Sequence, residues 1–264
     1  MRPSPRGSFE ALGGYNEKTL RIGILTVGSL FWDGSEIRCG WRRQRLAVRE
    51  KRMVRVPIRY GRLSQSRGNT YTMVFARSCE TAEQMGTGLV LPASADCREP
   101  AQLVEEAEHL WAVESNSLCR AGVAANWGRV CLRQPPEAPL PKEFDTAWQG
   151  AVRAAGPRYR AVPTAREEAP LLDPSSGMAL FSWPTDVETG ALLSGFDALL
   201  LTATEATFTS ESSYASPRTV AEAWRNDPHG NAAYFYNNRL SGITTFEDEQ
   251  IQLALKGVSN REDR

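Results

Sequence analysis

Residues 21–33, Arg-Ile-Gly-Ile-Leu-Thr-Val-Gly-Ser-Leu-Phe-Trp-Asp, constrain the fold more than any other stretch of the chain. Ile22, Ile24, Leu25 and Val27 supply the apolar, partly β-branched character of a buried strand. Gly28-Ser29 then gives the backbone freedom to turn sharply. Consecutive backbone N–H groups exposed by such a turn form a concavity that accepts a carboxylate or carbonyl oxygen. A tight turn with an internally satisfied serine is the plainer reading of the same residues.

What surrounds this strand is bounded by length and charge. A chain of 264 residues can bury a large core, as one domain or as one domain with a sizeable extension. Its 31 basic and 31 acidic residues cancel, which argues against a global attraction to nucleic acid or an anionic membrane. No apolar run is long enough to span a bilayer, and residues 1–9 lack a signal-peptide core, so the expectation is a soluble, cytoplasmic protein. Cys39, Cys79, Cys97, Cys119 and Cys131 form no Cys-x-x-Cys pair, and only His109 and His229 add imidazole, so no structural metal site is expected. The thiols read as buried small hydrophobes.

Along the chain, residues 1–19 read as a loose arm rich in proline and glycine. Residues 38–49 fit a short helix or an irregular segment. Residues 53–60 alternate apolar and polar positions as a strand does, with Pro57 marking an edge or a bulge. Residues 70–76 and 85–92 are two further β-rich runs, which together imply a meander or barrel-like sheet closed over long range by the first strand.

From Glu99 to Glu114 the period changes. Leu103, Ala107, Leu110, Trp111 and Glu114 fall on one broad helical face, with Glu105, Glu106 and Glu108 mainly on the wet side. A carboxylate on the apolar face is costly to bury, and burial raises its pKa towards general acid–base work. Glu114 is therefore a candidate catalytic residue; a carboxylate just past the helix end, paired to an arginine, is the alternative.

Charge is segregated. Residues 38–67 hold ten arginines and one lysine against Glu50, whereas residues 80–114 hold eight acids against Arg98. The two stretches can compensate each other across the fold, or the arginines can line the mouth of an anion site. Arg59, Arg62 and Arg67 are each candidates for binding a substrate carboxylate, because the guanidinium fork matches it in bidentate geometry.

Val27-Gly28-Ser29-Leu30 resembles the Tyr-Gly-Ser-Asn/Leu loop that opens the gamma-glutamyl cyclotransferase-like superfamily, with Val27 in the tyrosine place. The order continues: a strand resembling Thr87-Gly-Leu-Val-Leu91 leads into a helix, after which a glutamate faces the loop, matching Glu114 and, less well, Glu108. The resemblance covers roughly residues 21–135. It implies an α/β or α+β fold: a mixed, partly closed barrel-like sheet with flanking helices. It implies that Val27, Gly28, Ser29 and Leu30 hold a gamma-glutamyl group, that an arginine neutralises its carboxylate and that Glu114 is the base, with no metal or organic cofactor. The implied reaction is cleavage of a gamma-glutamyl amide or amine with release of 5-oxoproline.

This places a cyclotransferase-like core at 20–134. A largely helical C-terminal extension at 142–258 follows a rigid proline-rich connector at 135–141, and a charged tail closes the chain at 259–264. Trp127–Leu132 and Met178–Trp183 read as strands, and residues 142–155, 192–206 and the stretch after Ser216-Pro217 as helices. The stretch from Thr244 reads as a helix start capped by Thr245 and Asp248. Tyr159 to Glu167 reads as a continuation of the 142–155 helix. Asn231, Tyr234, Asn237 and Asn238 are candidates to line a pocket, Asn237-Asn238 reads equally as a turn, and His229 has no nucleophile motif beside it. Three functions follow: the enzyme just described, acting on a small molecule with a carboxylate; a non-catalytic binding or regulatory protein that engages a protein partner through its C-terminal half; and a nucleic-acid role resting on the arginines with Trp41, Tyr60 and Tyr71. The later acids argue against the last.

Overall fold

The computed structural model describes residues 19–117, 122–209, 213–227 and 232–257. In chain order these form β1 (Ile22–Thr26), α1 (Ser29–Trp32), α2 (Glu36–Arg45), β2 (Arg52–Val56), β3 (Ile58–Ser64), β4 (Thr70–Phe75), β5 (Gly86–Pro92) and α3 (Pro100–Glu114). There follow β6 (Ala124–Ala125), β7 (Gly128–Arg133), α4 (Lys142–Ala155), β8 (Leu172–Asp173), β9 (Met178–Ala179), β10 (Thr185–Asp186), β11 (Ala198–Thr204), α5 (Pro217–Arg225), α6 (Ala232–Leu240) and α7 (Asp248–Leu255).

The fold is mixed α/β, built on a curled half-barrel sheet ordered β10-β2-β5-β1-β11-β7-β9-β8, with β6 hairpinned on β7. No helix among the described residues is long and apolar enough to cross a membrane. β1 is central. It runs antiparallel to β5 (Ile24 opposite Leu91) and parallel to β11 (Ile24 opposite Leu200), and all five of its residues are buried. β11 in turn runs antiparallel to β7, with Leu200 opposite Leu132.

That position for β11 corrects two expectations. Residues 192–206 are not a helix, and the C-terminal half, though most of its regular structure is helical, is not confined to helices outside the sheet, because it supplies β8, β9, β10 and β11 to it. The reason is burial. Ala198-Leu-Leu-Leu-Thr-Ala-Thr204 is covered on both faces along its whole length, so it shows no alternation by which a strand would announce itself. The Met178–Trp183 strand shrinks to two residues, and 159–167 does not prolong α4, which stops at Gly156 with φ 57°.

Pro57 divides what the sequence presents as one strand. Val56 pairs with Gly86 in the large sheet, and Ile58 pairs with Phe75 in a separate two-stranded ribbon of β3 and β4. Proline has no N–H to give a ladder, so the strand changes sheets there. On one side α3 packs on β7, β11, α2 and α4; on the other the ribbon lies over β11 and carries α5, which packs on α6 and α7.

The α3 face is as its period requires: Leu103, Ala107 and Leu110 are fully buried and Trp111 nearly so. The helix starts with Gln102 Oε1 accepting the N–H of Glu99 at 3.0 Å. Glu106, expected on the wet side, is buried, because Arg45 of α2 meets both its oxygens at 2.6 and 3.1 Å. In α5, Ser216 caps by accepting the Thr219 N–H at 3.2 Å. Before α7, Asp248 accepts from both the N–H and the hydroxyl of Thr245. Asn237-Asn238 lies inside α6, not in a turn, and Asn238 is completely buried.

Candidate functional site

The chain leaves β1 at Thr26 and turns at Gly28, whose φ of 81° lies in the region that favours glycine. A methyl group on Gly28 would collide with the Tyr234 hydroxyl, so the turn depends on the missing side chain twice over. Ser29 and Leu30 open α1, and as its first residues their N–H groups have no acceptor within the helix.

Arginines of α2 hold this turn in shape. Arg38 donates to Ser29 Oγ at 2.8 Å and to Asp33 at 2.9 Å. Arg42 donates to the carbonyls of Leu30 and Asp33, each at 2.7 Å. Part of the arginine-rich stretch thus organises the backbone of the turn.

A cleft of about 1050 Å³ opens where the parallel neighbours β1 and β11 end. In open α/β sheets ligands gather outside the carboxyl ends of the strands, and this is that edge. Val27, Ser29 and Leu30 line it from the turn, Arg62 and Arg67 from the ribbon, Glu114 from the end of α3, Thr202 from β11 and Tyr234 from α6. Of the residues expected from sequence to form a site, the cleft brings together Val27, Ser29, Leu30, Arg62, Arg67 and Glu114, with Gly28 buried directly behind them.

Arg59 is not among them. It bonds Glu247 at 2.5 Å and lies over the rings of Tyr214 and Phe246, facing a different cavity of about 560 Å³. A bulge between Tyr60 and Arg62 sets Arg59 opposite Val74 and Arg62 opposite Thr72, so the two arginines part along the ribbon and not across it. In a regular strand residues 60 and 62 share a face; the bulge frees Arg62 from Tyr60, which goes fully into the core while Arg62 turns to the cleft.

The charges in the cleft are unequal in their engagements. Burial raises the Asp33 carboxyl, but the Ser35 N–H (2.8 Å to Oδ1) and the guanidiniums of Arg38 and Arg67 outweigh it, and Asp33 sits below its ordinary range. Burial also raises Glu114, and there it prevails over Arg38, Arg62, Arg67 and the Thr202 side chain, all of which favour the ionised form. Arg62 is lowered by desolvation against the pull of Glu114. Its guanidinium stacks over Trp127 at 4.3 Å, and no carboxylate of the described residues forms an ion pair with it. Glu205, at the far wall, is held by Arg129 and Arg160. Three guanidiniums therefore face Asp33 and Glu114, leaving a positive surplus that suits an anionic ligand.

Asp33, Arg38, Trp127 and Thr202 were not singled out by sequence. Thr202 was hidden because its strand reads as a helix; Asp33 and Arg38 follow the glycine turn closely, and their proximity to it was the available signal. His229 and Asn231 lie outside the described residues. Glu108 lies away from the cleft, against a shallow groove beside α4. Among the described residues no cluster of His, Cys, Asp or Glu has the makings of a metal site.

Fold and cleft together define a mixed α/β protein with a polar, arginine-flanked carboxylate at the edge of its sheet. Comparison with protein-family models, curated proteins and solved structures finds no match to the chain.

Proposed function

We propose that this protein is a cofactor-independent, gamma-glutamyl cyclotransferase-like enzyme that releases 5-oxoproline from a gamma-glutamyl amide or amine. The observation that carries the reading is the shared cleft of Glu114 and the Val27–Leu30 turn, with Arg62 beside them. Arg62 takes the substrate's α-carboxylate, since Arg59 is committed to Glu247 and Arg67 shares Asp33. The turn receives the gamma-glutamyl chain. Glu114, made more basic by burial, takes a proton from the α-amine, which attacks the gamma-carbonyl to close the five-membered lactam; the same proton then leaves with the departing amine. Amine and carbonyl belong to one molecule, so holding it curled supplies the proximity advantage. Free thiols at Cys39, Cys79, Cys97 and Cys131 suit the reducing cytoplasm.

The test is 5-oxoproline release from a panel of gamma-glutamyl peptides and gamma-glutamyl amines. Glu114→Gln is expected to lower turnover by about 10²–10⁴-fold. Arg62→Gln is expected mainly to raise KM. Absence of 5-oxoproline with every substrate, or unchanged turnover in Glu114→Gln, would overturn the reading. A non-catalytic protein that binds an anionic ligand in the same cleft is the second reading, favoured by a cavity at the large end of ligand sites. Saturable binding of gamma-glutamyl compounds without turnover would select it.

A further inference from the structure

Tyr234 comes from α6, nearly a hundred residues beyond the stretch that resembles the cyclotransferase-like superfamily, yet it lines the cleft beside Gly28. Its side chain is buried, with its hydroxyl pressed against the turn. The groups around that hydroxyl are donors. The Met73 N–H donates to it at 3.3 Å. Asn238 has its Oδ1 occupied by Trp32 Nε1 at 2.6 Å, so its Nδ2 faces the phenols of Tyr60 and Tyr234 without closing a tight hydrogen bond to either. Arg67, a cation, lies 5.2 Å above the ring. Among the described residues nothing accepts the Tyr234 proton. A buried hydroxyl that takes hydrogen bonds from protein and gives none keeps its proton for a ligand, and Tyr234 is one of the residues that line the cleft.

Resting on the reading proposed above, we infer that Tyr234 is a catalytic hydrogen-bond donor to the gamma-carbonyl oxygen of the substrate. As the α-amine nitrogen bonds to the gamma-carbon, the carbonyl π pair moves onto oxygen, and the Tyr234 O–H meets the charge that develops there. Collapse returns the pair to the C–O bond and breaks the bond to the leaving nitrogen. The proton that Glu114 removed goes to that nitrogen, and Tyr234 keeps its own throughout. A preorganised donor aimed at developing charge acts on the transition state far more than on the bound substrate.

Tyr234→Phe tests this while keeping the ring that meets Trp32 edge-on at 5.5 Å. The expected result is a fall in kcat of about 10²–10³-fold with KM changed less than about threefold. Tyr60→Phe, which removes a fully buried hydroxyl away from the cleft, is expected to leave kcat unchanged. If wild type turns over and Tyr234→Phe matches it in kcat, the donor role is overturned while the cyclotransferase reading stands. If wild type releases no 5-oxoproline from any substrate, the reading itself fails and takes the donor role with it. Should Tyr234→Phe not fold, 3-fluorotyrosine at position 234 gives the second measurement: a shift of its fluorine resonance on adding 5-oxoproline supports the contact, and no shift overturns it.

Discussion

Glu114 carries two opposed consequences. Because burial raises its pKa in the fold, the folded protein holds this proton more tightly than the unfolded chain. The stability so gained is complete below the ordinary carboxylate range and is lost as pH rises through the folded value. Glu114→Gln, uncharged at every pH, is therefore expected to melt higher than wild type at about pH 8 and to converge with it towards about pH 4, even as turnover collapses. Thermal melts across that range check the sign. Gly28→Ala has no such compensation: positive φ and the Tyr234 hydroxyl both oppose a methyl group, so a loss of about 1–3 kcal/mol is expected in urea unfolding, together with loss of ligand binding. Residues of this kind were partly legible. A glycine after an apolar strand announces a turn by its chemistry alone, and a lone acid on an apolar helical face announces its cost. Which arginine stands free was not legible, because it depends on a one-residue bulge that makes neither charge nor period in the sequence.

Among the elements, α3 and β11 mark the two ends of that legibility. The first has one wet face and one dry face, so its 3.6-residue period survives in the sequence and its core residues can be named. The second is covered on both faces, and seven buried residues in a row carry no period. Leu200, fully buried between β1 and β7, makes the difference measurable. Leu200→Ala is expected to cost about 2–5 kcal/mol in denaturant unfolding. Leu253→Ala, on an exposed part of α7, is expected to stay within about 0.5 kcal/mol. A small effect at Leu200 would mean that this segment lies at the surface. Pro57 sits between these cases: its place as a break was readable, but not that the two halves of the run enter different sheets.

Across the molecule the segregated charges do not simply cancel stretch against stretch. Arg45 does reach Glu105 and Glu106 on α3, but Arg52 goes to Asp186, Arg59 to Glu247, and Arg38 and Arg67 to Asp33. The pairings tie the arginine-rich stretch to the C-terminal half as much as to the acidic helix. They also shape the response to pH. Hydrogen bonds and nearby cations hold Asp33, Glu80, Asp173 and Asp186 low, so their contribution is lost as pH falls through the folded values. Burial raises Asp248, and raises Glu247 to about 6 despite Arg59, so theirs is lost as pH rises from the ordinary carboxylate range through those values. Stability is therefore expected to peak on the weakly acidic side, near about pH 5, in melts followed by circular dichroism. A maximum above neutrality would contradict this balance.

The partner that completes β1 is encoded some 176 residues later, as the bond from the Arg21 N–H to Asp197 marks. While the ribosome is still making the intervening chain, the middle of the sheet has one flank bare and apolar. Contacts so remote slow folding, and an uncovered flank invites other chains. Newborn copies thus pass through a sticky interval that ends only when residues 198–204 emerge, which makes shielding during synthesis part of this architecture's cost.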